Sequence, residues 1–277
     1  MRRAIVLSVL ATACASAHEP MQRALDPSME RAARSERYLR AVGGITGNAA
    51  RMTRGDGSVY LADVAPSMRF FVITGDGAAY LRMRRYVEAS MIERAATGLQ
   101  PARRVRPRGG FERATPYGVA RLGDALALGW QAFGDTASAA LAASLRADDS
   151  PTQLVGTESD QMVERCSAAD ASVRTDPGTA RAVLGGARRF AGGGSPGRES
   201  HLDLRGVDGD LVALACLTRL ALAVNDPDAT VRFLDRLLDR LAPFLSGRGR
   251  PDPGAAAEVL LALREVRAAG PGYADRR

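Results

Sequence analysis

Apolar residues recur along the chain at helical spacing, and the clearest case lies towards the carboxyl end. Almost every position between 211 and 224 is apolar, which indicates a helix that is buried nearly all round. Asn225 ends this helix, and Asp226 caps the next one, with Pro227 at its first helical position. Apolar and charged residues then alternate at helical spacing, as expected for an outer helix that faces water. The pattern predicts a helical hairpin with a sharp corner at Asp226.

The same corner occurs three times earlier in the chain, so the sequence predicts a repeated unit. The corners are Asp76, Asp135, Asp176 and Asp226, roughly fifty residues apart. Helices are predicted beside them at 68–73, 78–92, 119–133 and 137–145, and less clearly at 159–173. Strand signals are almost absent, because no run of alternating β-branched and aromatic residues is bounded by hairpin turns. We therefore predict an all-α fold, a helical-hairpin array that is (α/α) toroid-like or an irregular α-solenoid, with an irregular helical bundle as the alternative.

The hairpin pattern carries three further expectations. Trp130 lies on an apolar helix, so we expect its ring to pack in the core. Residues 99–110 and 192–198 are rich in arginine, proline or glycine, and we expect both to be exposed loops. The pattern continues across every candidate linker, which favours a single domain over residues 18–277.

The first part of the chain, residues 1–17, has the composition of a secretory signal peptide. Arg2 and Arg3 precede a short apolar run, and residues 15–17 form a small-residue cleavage site. We expect the mature protein to be exported, in the periplasm or outside the cell, and the apolar run is too short to span a bilayer. An uncleaved amphipathic start is one alternative. Lipidation at Cys14 is another, and it would anchor the protein to a membrane face.

Two cysteines remain once residues 1–17 are removed, Cys166 and Cys216. An oxidising compartment would allow them to form a disulfide. Cys216 lies in the most apolar helix, where a free cysteine packs as a small hydrophobic side chain, so we favour the free thiol. No cysteine and histidine spacing typical of structural zinc occurs, and we expect neither a metal nor a cofactor.

The basic residues are all arginines, and the formal net charge is +7. The absence of lysine excludes Schiff-base chemistry and the phosphate-binding lysine of a P-loop. Arg103, Arg104, Arg106 and Arg108 form a basic segment without the interleaved aromatic residues of a nucleic-acid site, so we expect no nucleic-acid partner. We interpret this segment as a solvated loop, with an anion site as the alternative.

Carboxylates are the best candidates for chemistry, because His18 and His201 are the only histidines and no Gly-x-Ser-x-Gly motif presents a serine. Hydrolysis of a glycosidic bond needs only two carboxylates that face each other across a cleft. Asp63, Asp208 and Asp210 each precede a predicted inner helix, so we take them as the candidate catalytic residues. The alternative is that these aspartates cap helices.

One segment resembles a known family. Residues 56–76, which end on the Gly75-Asp76 corner, resemble the opening of family 8 glycoside hydrolases and related (α/α) toroid enzymes. In that family a glutamate acid stands where this chain has Pro66, and a later aspartate-bearing segment would fall at residues 114–118. Neither place holds a carboxylate here. The resemblance therefore implies the toroid more than the activity.

Two functions of different classes follow from these observations. The first is an exported glycan-associated toroid, either a diverged glycoside hydrolase or a non-catalytic polysaccharide-binding relative, with Tyr60, Tyr117 and Trp130 as candidate sugar platforms. The alternative is a non-catalytic helical-repeat scaffold that binds another protein of the cell envelope. A pocket with carboxylates and an aromatic ring at one end of the array would favour the first, and a filled end would favour the second.

Overall fold

A computed structural model of the chain describes residues 20–96, 98–146, 157–190, 202, 204 and 207–270. The predicted signal peptide, Cys14, His201 and the predicted loop at 192–198 lie outside these residues. Within them the chain is mainly helical, with short strands in one region. In the same residues no helix is both long and apolar enough to cross a membrane.

The longer helices follow one another as hairpins. They are α1 (Met29–Val42), α2 (Leu61–Thr74), α3 (Gly77–Tyr86), α4 (Pro116–Phe133), α5 (Thr136–Ser144), α6 (Glu158–Ser172), α7 (Pro177–Gly186), α8 (Val207–Ala223), α9 (Pro227–Leu245) and α10 (Pro253–Ala269). A helical turn at residues 20–25 and a 3-10 turn at Asp26–Ser28 precede α1. The hairpins are α2 with α3, α4 with α5, α6 with α7, and α8 with α9.

Aspartates occupy the N-cap position of the second helix of each hairpin, as the sequence predicts, and all but Asp135 accept a backbone N–H there. The four N-cap residues are Asp76, Asp135, Asp176 and Asp226. The Asp76 carboxylate accepts the Ala79 N–H at 2.9 Å, and the Asp226 carboxylate accepts the Ala229 N–H at 2.9 Å. Gly75 ends α2 in the left-handed conformation, which glycine adopts without strain. The predicted all-α helical-hairpin array is confirmed.

The even-numbered helices pack against one another, and each odd-numbered helix packs on one of them. Neighbouring even-numbered helices run in the order α4, α2, α10, α8 and α6, so α2 contacts α10 from the far end of the chain. Helix α1 packs on α10 as the other odd-numbered helices pack on their hairpin partners. Burial agrees with this division, because α8 and α10 are buried along most of their length whereas α9 is buried on one face. We call α2, α4, α6, α8 and α10 the inner helices.

Small residues allow α10 to approach α2 closely. A Cβ atom at Gly254 would overlap the carbonyl oxygen of Ala62 and would lie 2.9 Å from the Cα atom of Asp63. Glycine is therefore required at this crossing, because any side chain would push the two helices apart. The contact brings the first turns of α2 and α10 together at one end of the inner helices.

The inner helices begin earlier than the sequence predicts. Helix α2 begins at Leu61 and contains Pro66 in its second turn, and α8 begins at Val207. Asp63 therefore lies in the first turn of α2, and Asp208 and Asp210 lie in the first turn of α8, instead of preceding these helices. The helix predicted over 78–92 is present: α3 ends at Tyr86, a π-helical turn at Val87–Met91 continues it, and a strand starts at Ile92.

A small antiparallel sheet replaces most of the loop predicted at 99–110, so that prediction is wrong. Strand β3 (Gly98–Val105) pairs with β1 (Val59–Tyr60), β2 (Ile92–Ala95) and β4 (Phe111–Arg113). Residues 106–110 alone form the exposed turn between β3 and β4. Pro101 and the arginines hide the strand periodicity of β3. Strands β2 and β4 are its close neighbours in sequence, whereas β1 is distant.

The prediction that Trp130 packs in the core is also wrong, because its side chain is 47% exposed. Helix α4 buries a stripe formed by Val119, Leu122, Ala125, Leu126 and Gly129. Trp130 lies just beside this stripe, near the end of the helix. An apolar helix therefore leaves its largest side chain in contact with solvent.

A disulfide joins Cys166 on α6 to Cys216 on α8, with their Cα atoms 6.1 Å apart. The free thiol favoured for Cys216 is therefore wrong. Helices α6 and α8 pack side by side, and both cysteines are buried. The polar sequence of α6 hides the packing that brings the two sulfur atoms together.

Tyr80 connects the first two hairpins. Its hydroxyl lies 2.6 Å from the Ser138 hydroxyl, which in turn donates to the Asp135 carboxylate at 2.6 Å. Gly129 on α4 lies so close to the Tyr80 ring that a Cβ atom there would overlap it. The two hairpins are thus held by a hydrogen-bond chain and by a contact that only glycine permits.

We expect Gly129→Ala to lower the free energy of unfolding by about 1–3 kcal/mol, because the added methyl group must displace the Tyr80 ring. Gly123→Ala on the same helix is the matched control, since nothing lies within 4 Å of its Cβ position and alanine favours a helix. Urea unfolding followed by circular dichroism measures both variants. Equal stability of the two variants would contradict the close contact between Gly129 and Tyr80.

Candidate functional site

A narrow pocket lies at the end of the array where α2, α4 and α10 begin. The first turns of α2 and α4 line it, together with Gly254 of α10, Val212 of α8 and the side chains of Leu202 and Leu204. Its volume is about 30 Å³, which is room for about two water-sized groups. We call this cavity the rim pocket. The lining residues that matter below are Ala65, Pro66, Arg103, Tyr117, Arg121 and Glu258.

The charged residues of the rim pocket come from three elements. Arg103 extends from β3, Arg121 lies in the second turn of α4, and Glu258 lies in the second turn of α10. Arg121 and Glu258 form an ion pair, and their side chains are only 13% and 4% exposed. Because the first turns of these helices surround the pocket nearer the surface, the buried ion pair forms its floor.

The floor belongs to a larger network of charges. Glu258 also lies 3.5 Å from Arg219 on α8 and 4.0 Å from Arg69 on α2. Asp170 on α6 lies 3.1 Å from Arg219 and 3.7 Å from Arg69. Every inner helix therefore contributes a charge. We call this set the central network, and its members are Arg69, Arg121, Asp170, Arg219, Glu258 and Glu265.

Positive charge is concentrated around Glu258. Burial lowers the pKa of the Arg121 guanidinium, and the charges of Arg69 and Arg219 lower it further, whereas Tyr117 opposes them. The Nε and Nη1 atoms of Arg69 are covered and donate no hydrogen bond within the described part of the chain. Three guanidinium groups thus converge on one carboxylate, and one of them has donors to spare.

The sequence patterns do not single out the central network as a site. Arg219 interrupts the apolar run at 211–224, and Glu258 interrupts the small and apolar run at 255–263. A charge inside such a run is costly to bury unless it is paired, so each interruption is a signal that a partner lies on another helix. The sequence does not show which helix supplies that partner.

Asp63, the first candidate catalytic residue, is fully buried and joins three segments. Its carboxylate accepts two hydrogen bonds from Arg54, at 2.7 and 2.9 Å, and a third from the Gly254 N–H at 3.0 Å. Arg54 also pairs with Asp252 at 3.1 Å. A buried bidentate pair of this kind fixes geometry strongly. Asp63 thereby ties the start of α2 to the start of α10 and does not line the rim pocket.

Asp208 lies in the same group of charges as Asp63. Its carboxylate accepts the Asp252 N–H at 3.0 Å. Burial raises the pKa of Asp208 to about 7, and the neighbouring Asp252 carboxylate adds to the shift. The structure therefore brings Asp63 and Asp208 together around Arg54 and Asp252, beside the rim pocket.

Asp210 points to a different neighbourhood, although it lies only two residues from Asp208. It is 2% exposed, accepts a hydrogen bond from the Ser159 hydroxyl on α6, and lies 3.6 Å from Arg240 on α9. Asp210 thus connects α8 to two other helices. Among the described residues, no group of three or more His, Cys, Asp or Glu side chains is arranged to hold a metal ion.

The two predicted substrate-binding tyrosines have different surroundings. Tyr60 is 2% exposed, its hydroxyl donates to Asp56 at 2.7 Å, and the Arg54 guanidinium lies 4.3 Å from its ring centre. Burial raises the pKa of Tyr60, so its hydroxyl remains a donor. Tyr117 is half-buried in the first turn of α4 and lines the rim pocket. Tyr117 is therefore the predicted aromatic residue that can meet a ligand there.

We expect Asp208→Asn to raise the free energy of unfolding by about 2 kcal/mol at pH 8, with a smaller gain at lower pH. Because burial raises the pKa of Asp208 to about 7, the folded chain keeps this carboxyl group protonated at pH values where a free aspartate, with its ordinary pKa of 3.8, is ionised. Stability from this group is therefore lost as the pH rises from about 4 to about 7. The measurement is urea unfolding between pH 4 and pH 8.

Asp228→Asn, at an exposed position in the first turn of α9, is the matched control. Its stability should follow that of the wild type at every pH. A constant difference between Asp208→Asn and the wild type across this range would show that Asp208 does not titrate as its surroundings indicate.

Comparison with known proteins finds no family model, no curated protein and no solved structure that matches this chain. The resemblance to family 8 glycoside hydrolases therefore stays a prediction. Any function has to be inferred from the rim pocket and the residues around it.

Proposed function

We propose that this chain is an exported, (α/α) toroid-like protein that binds a glycan at the rim pocket without cleaving it. The observation that carries the proposal is the position of Pro66 and of the segment 114–118. In the resemblance to family 8 glycoside hydrolases, these places correspond to the catalytic motifs. Pro66 and most of the segment 114–118 line the rim pocket together. The pocket thus lies where the resemblance would put a sugar.

The order of the inner helices supports a toroid. Helix α6 packs on α8, and α8 packs on α10. Helix α2 packs on both α10 and α4. Packing of α2, from the first hairpin, on the last helix α10 is expected in a ring and not in an open solenoid, whereas the successive inner helices α4 and α6 do not pack closely on each other within the described residues. Helices α2, α4 and α10 all contribute residues near their starts to the rim pocket, as expected if the inner helices of a ring begin at one rim.

The charges favour binding over hydrolysis. Cleavage of a glycosidic bond requires an acid and a second carboxylate on opposite sides of the bond. Among the described residues that line the rim pocket, Glu258 is the only carboxylate, and it is paired with arginines. Asp63 is held by Arg54 and lies outside the lining. A pocket with one neutralised carboxylate can hold a ligand but lacks the pair that the chemistry needs.

Two features support export. The sequence predicts a signal peptide at residues 1–17, and Cys166 and Cys216 form a disulfide. Disulfides persist in the periplasm and outside the cell, whereas cytosolic thiols are kept reduced. Lipidation at Cys14 would leave the same domain attached to a membrane face.

Trp130 favours a second candidate, a helical scaffold that binds another protein of the cell envelope. Its side chain is 47% exposed, and tryptophan is enriched at the centres of protein interfaces. Trp130 lies about 20 Å along α4 from Tyr117, at 1.5 Å per helical residue. The two candidate functions therefore use different ends of one helix, which allows a single pair of variants to separate them.

We expect the purified mature chain to bind a member of a polysaccharide panel and to release no sugar from it. Tyr117→Ala should weaken this binding about tenfold or more, because an aromatic wall of the rim pocket is lost. Trp130→Ala is the matched control and should bind as the wild type does. Isothermal titration measures the binding, and a reducing-sugar assay measures cleavage.

Glycan binding that depends on Trp130 and not on Tyr117 would show that the glycan site lies near Trp130 and not at the rim pocket. Failure of every glycan to bind would overturn the proposed function. Release of sugar by the wild type would overturn the claim that the chain binds without cleaving.

A further inference from the structure

The size of the rim pocket limits what part of a ligand can enter it. A volume of about 30 Å³ holds about two water-sized groups, which is too little for a sugar ring. A carboxylate, with its two oxygen atoms, matches this space. The pocket is therefore suited to one substituent of a ligand whose remaining part stays at the mouth.

The charges that line the rim pocket favour an anion. Among the described lining residues, Arg103 and Arg121 carry guanidinium groups and Glu258 carries the one carboxylate. Glu258 is itself surrounded by Arg69, Arg121 and Arg219, so its negative charge is compensated. Among the described residues that line the pocket, two guanidinium groups thus meet one carboxylate, whereas Asp63, Asp208 and Asp252 lie beside the pocket and outside its lining.

The other carboxylates of the central network lie further from the interior. The side chains of Asp170 and Glu265 are 21% and 39% exposed, compared with 4% for Glu258. Solvent screens these two charges more strongly. At the pocket, Asp170 and Glu265 therefore cancel less of the positive charge of the arginines than their formal charges alone would indicate.

Arg69 adds hydrogen-bond donors below the pocket. It lies three residues after Pro66 on α2, so the two share one face of the helix. Its covered Nε and Nη1 atoms donate no hydrogen bond to the described residues, and its nearest carboxylate oxygens are 3.7 and 4.0 Å away. Buried donors without acceptors are costly, and an anion above them would reduce that cost.

The walls of the pocket strengthen this preference. Leu61, Ala65, Pro66 and Val212 are apolar and keep water away from the Arg121 side chain. A charge pair is stronger in such surroundings than in water. Guanidinium groups also match the planar geometry of a carboxylate better than a single ammonium group would.

We infer that the rim pocket receives the carboxylate of an acidic saccharide, with Arg121 at its floor as the principal contact. This inference rests on the proposed glycan binding and names the class of glycan. The sugar ring lies at the mouth, beside Tyr117, and the carboxylate enters between the first turns of α2 and α4.

The test compares two ligands that differ only in charge. A tetragalacturonate is titrated into the purified mature chain, and so is the tetrasaccharide in which each carboxylate has been reduced to an alcohol. We expect the acidic form to bind at least about tenfold more tightly, as a charge-assisted contact allows. Sodium acetate, a carboxylate without a sugar, is titrated as a third probe and should bind more weakly than the acidic tetrasaccharide.

Three variants locate the effect. Arg121→Gln should abolish the preference for the acidic form, whereas Arg34→Gln, at an exposed position on α1, should leave it unchanged. If Arg121→Gln fails to fold, as circular dichroism would show, Ala65→Leu takes its place. Ala65→Leu narrows the pocket without changing any charge and should weaken binding of the acidic form about tenfold or more.

Each outcome has one meaning. Equal affinity for the acidic and reduced tetrasaccharides would overturn this inference and leave glycan binding intact. No binding of either would overturn both this inference and the proposed function. Acetate binding as tight as that of the acidic tetrasaccharide would retain an anion site and overturn its assignment to a saccharide. If Arg121→Gln or Ala65→Leu still preferred the acidic tetrasaccharide as strongly as the wild type does, the placement of the carboxylate site at the rim pocket would be overturned.

Discussion

The pairing of buried charges at the centre of the helix array is the constraint on which the structure depends. Each inner helix contributes a charged side chain to the central network, and Glu258 contacts arginines from three of them. An uncompensated charge in a protein interior raises the free energy of the fold by several kcal/mol. A shift of one helix would separate its charged side chain from the side chains that pair with it, so the network opposes such a shift. Apolar packing holds the helices together, whereas the charges fix how the helices lie relative to one another.

The same constraint shapes the rim pocket. Its floor is the ion pair of Arg121 and Glu258, and beside it the Arg54–Asp63 pair fixes the start of α2 against Gly254 of α10. Strand β3 carries Arg103 to the lining, and the disulfide fixes α6 to α8. The pocket is therefore built from helix ends that are held on several sides, which favours recognition by a preformed site.

The sequence predicts those parts of the fold that depend on neighbouring residues. Asp76 and Asp226 are recognisable as caps because capping needs only the next few residues, and the helical hairpins follow from them. Strand β3 is not predicted, because Pro101 and the arginines hide its periodicity and its pairing with β1 joins segments that are distant in sequence, although β2 and β4 adjoin it. Helix α10 is not among the predicted helices either, since its many small residues give a weak apolar pattern and its burial comes from packing against α2 and α8.

The candidate site shows the same division. Tyr117 is predicted and lines the rim pocket, whereas Arg121 and Glu258 become meaningful only when α4 and α10 are placed side by side. The sequence singles out Asp63 and Asp208 only as candidate catalytic residues, and their partners Arg54 and Asp252 come from other segments. A charged residue inside an apolar run is visible in a sequence, but the oppositely charged residue that pairs with it in the fold is not.

A double-mutant cycle on Arg121 and Glu258 tests the role of the central network most directly. The free energy of unfolding would be measured for Arg121→Leu, for Glu258→Leu and for the double variant. Glu258→Leu removes the carboxylate that pairs with Arg121, and Arg121→Leu leaves Glu258 with Arg69 and Arg219. The double variant should therefore be at least about 2 kcal/mol more stable than the sum of the single effects indicates. Additive effects would contradict the account, because they would show that the two side chains do not depend on each other.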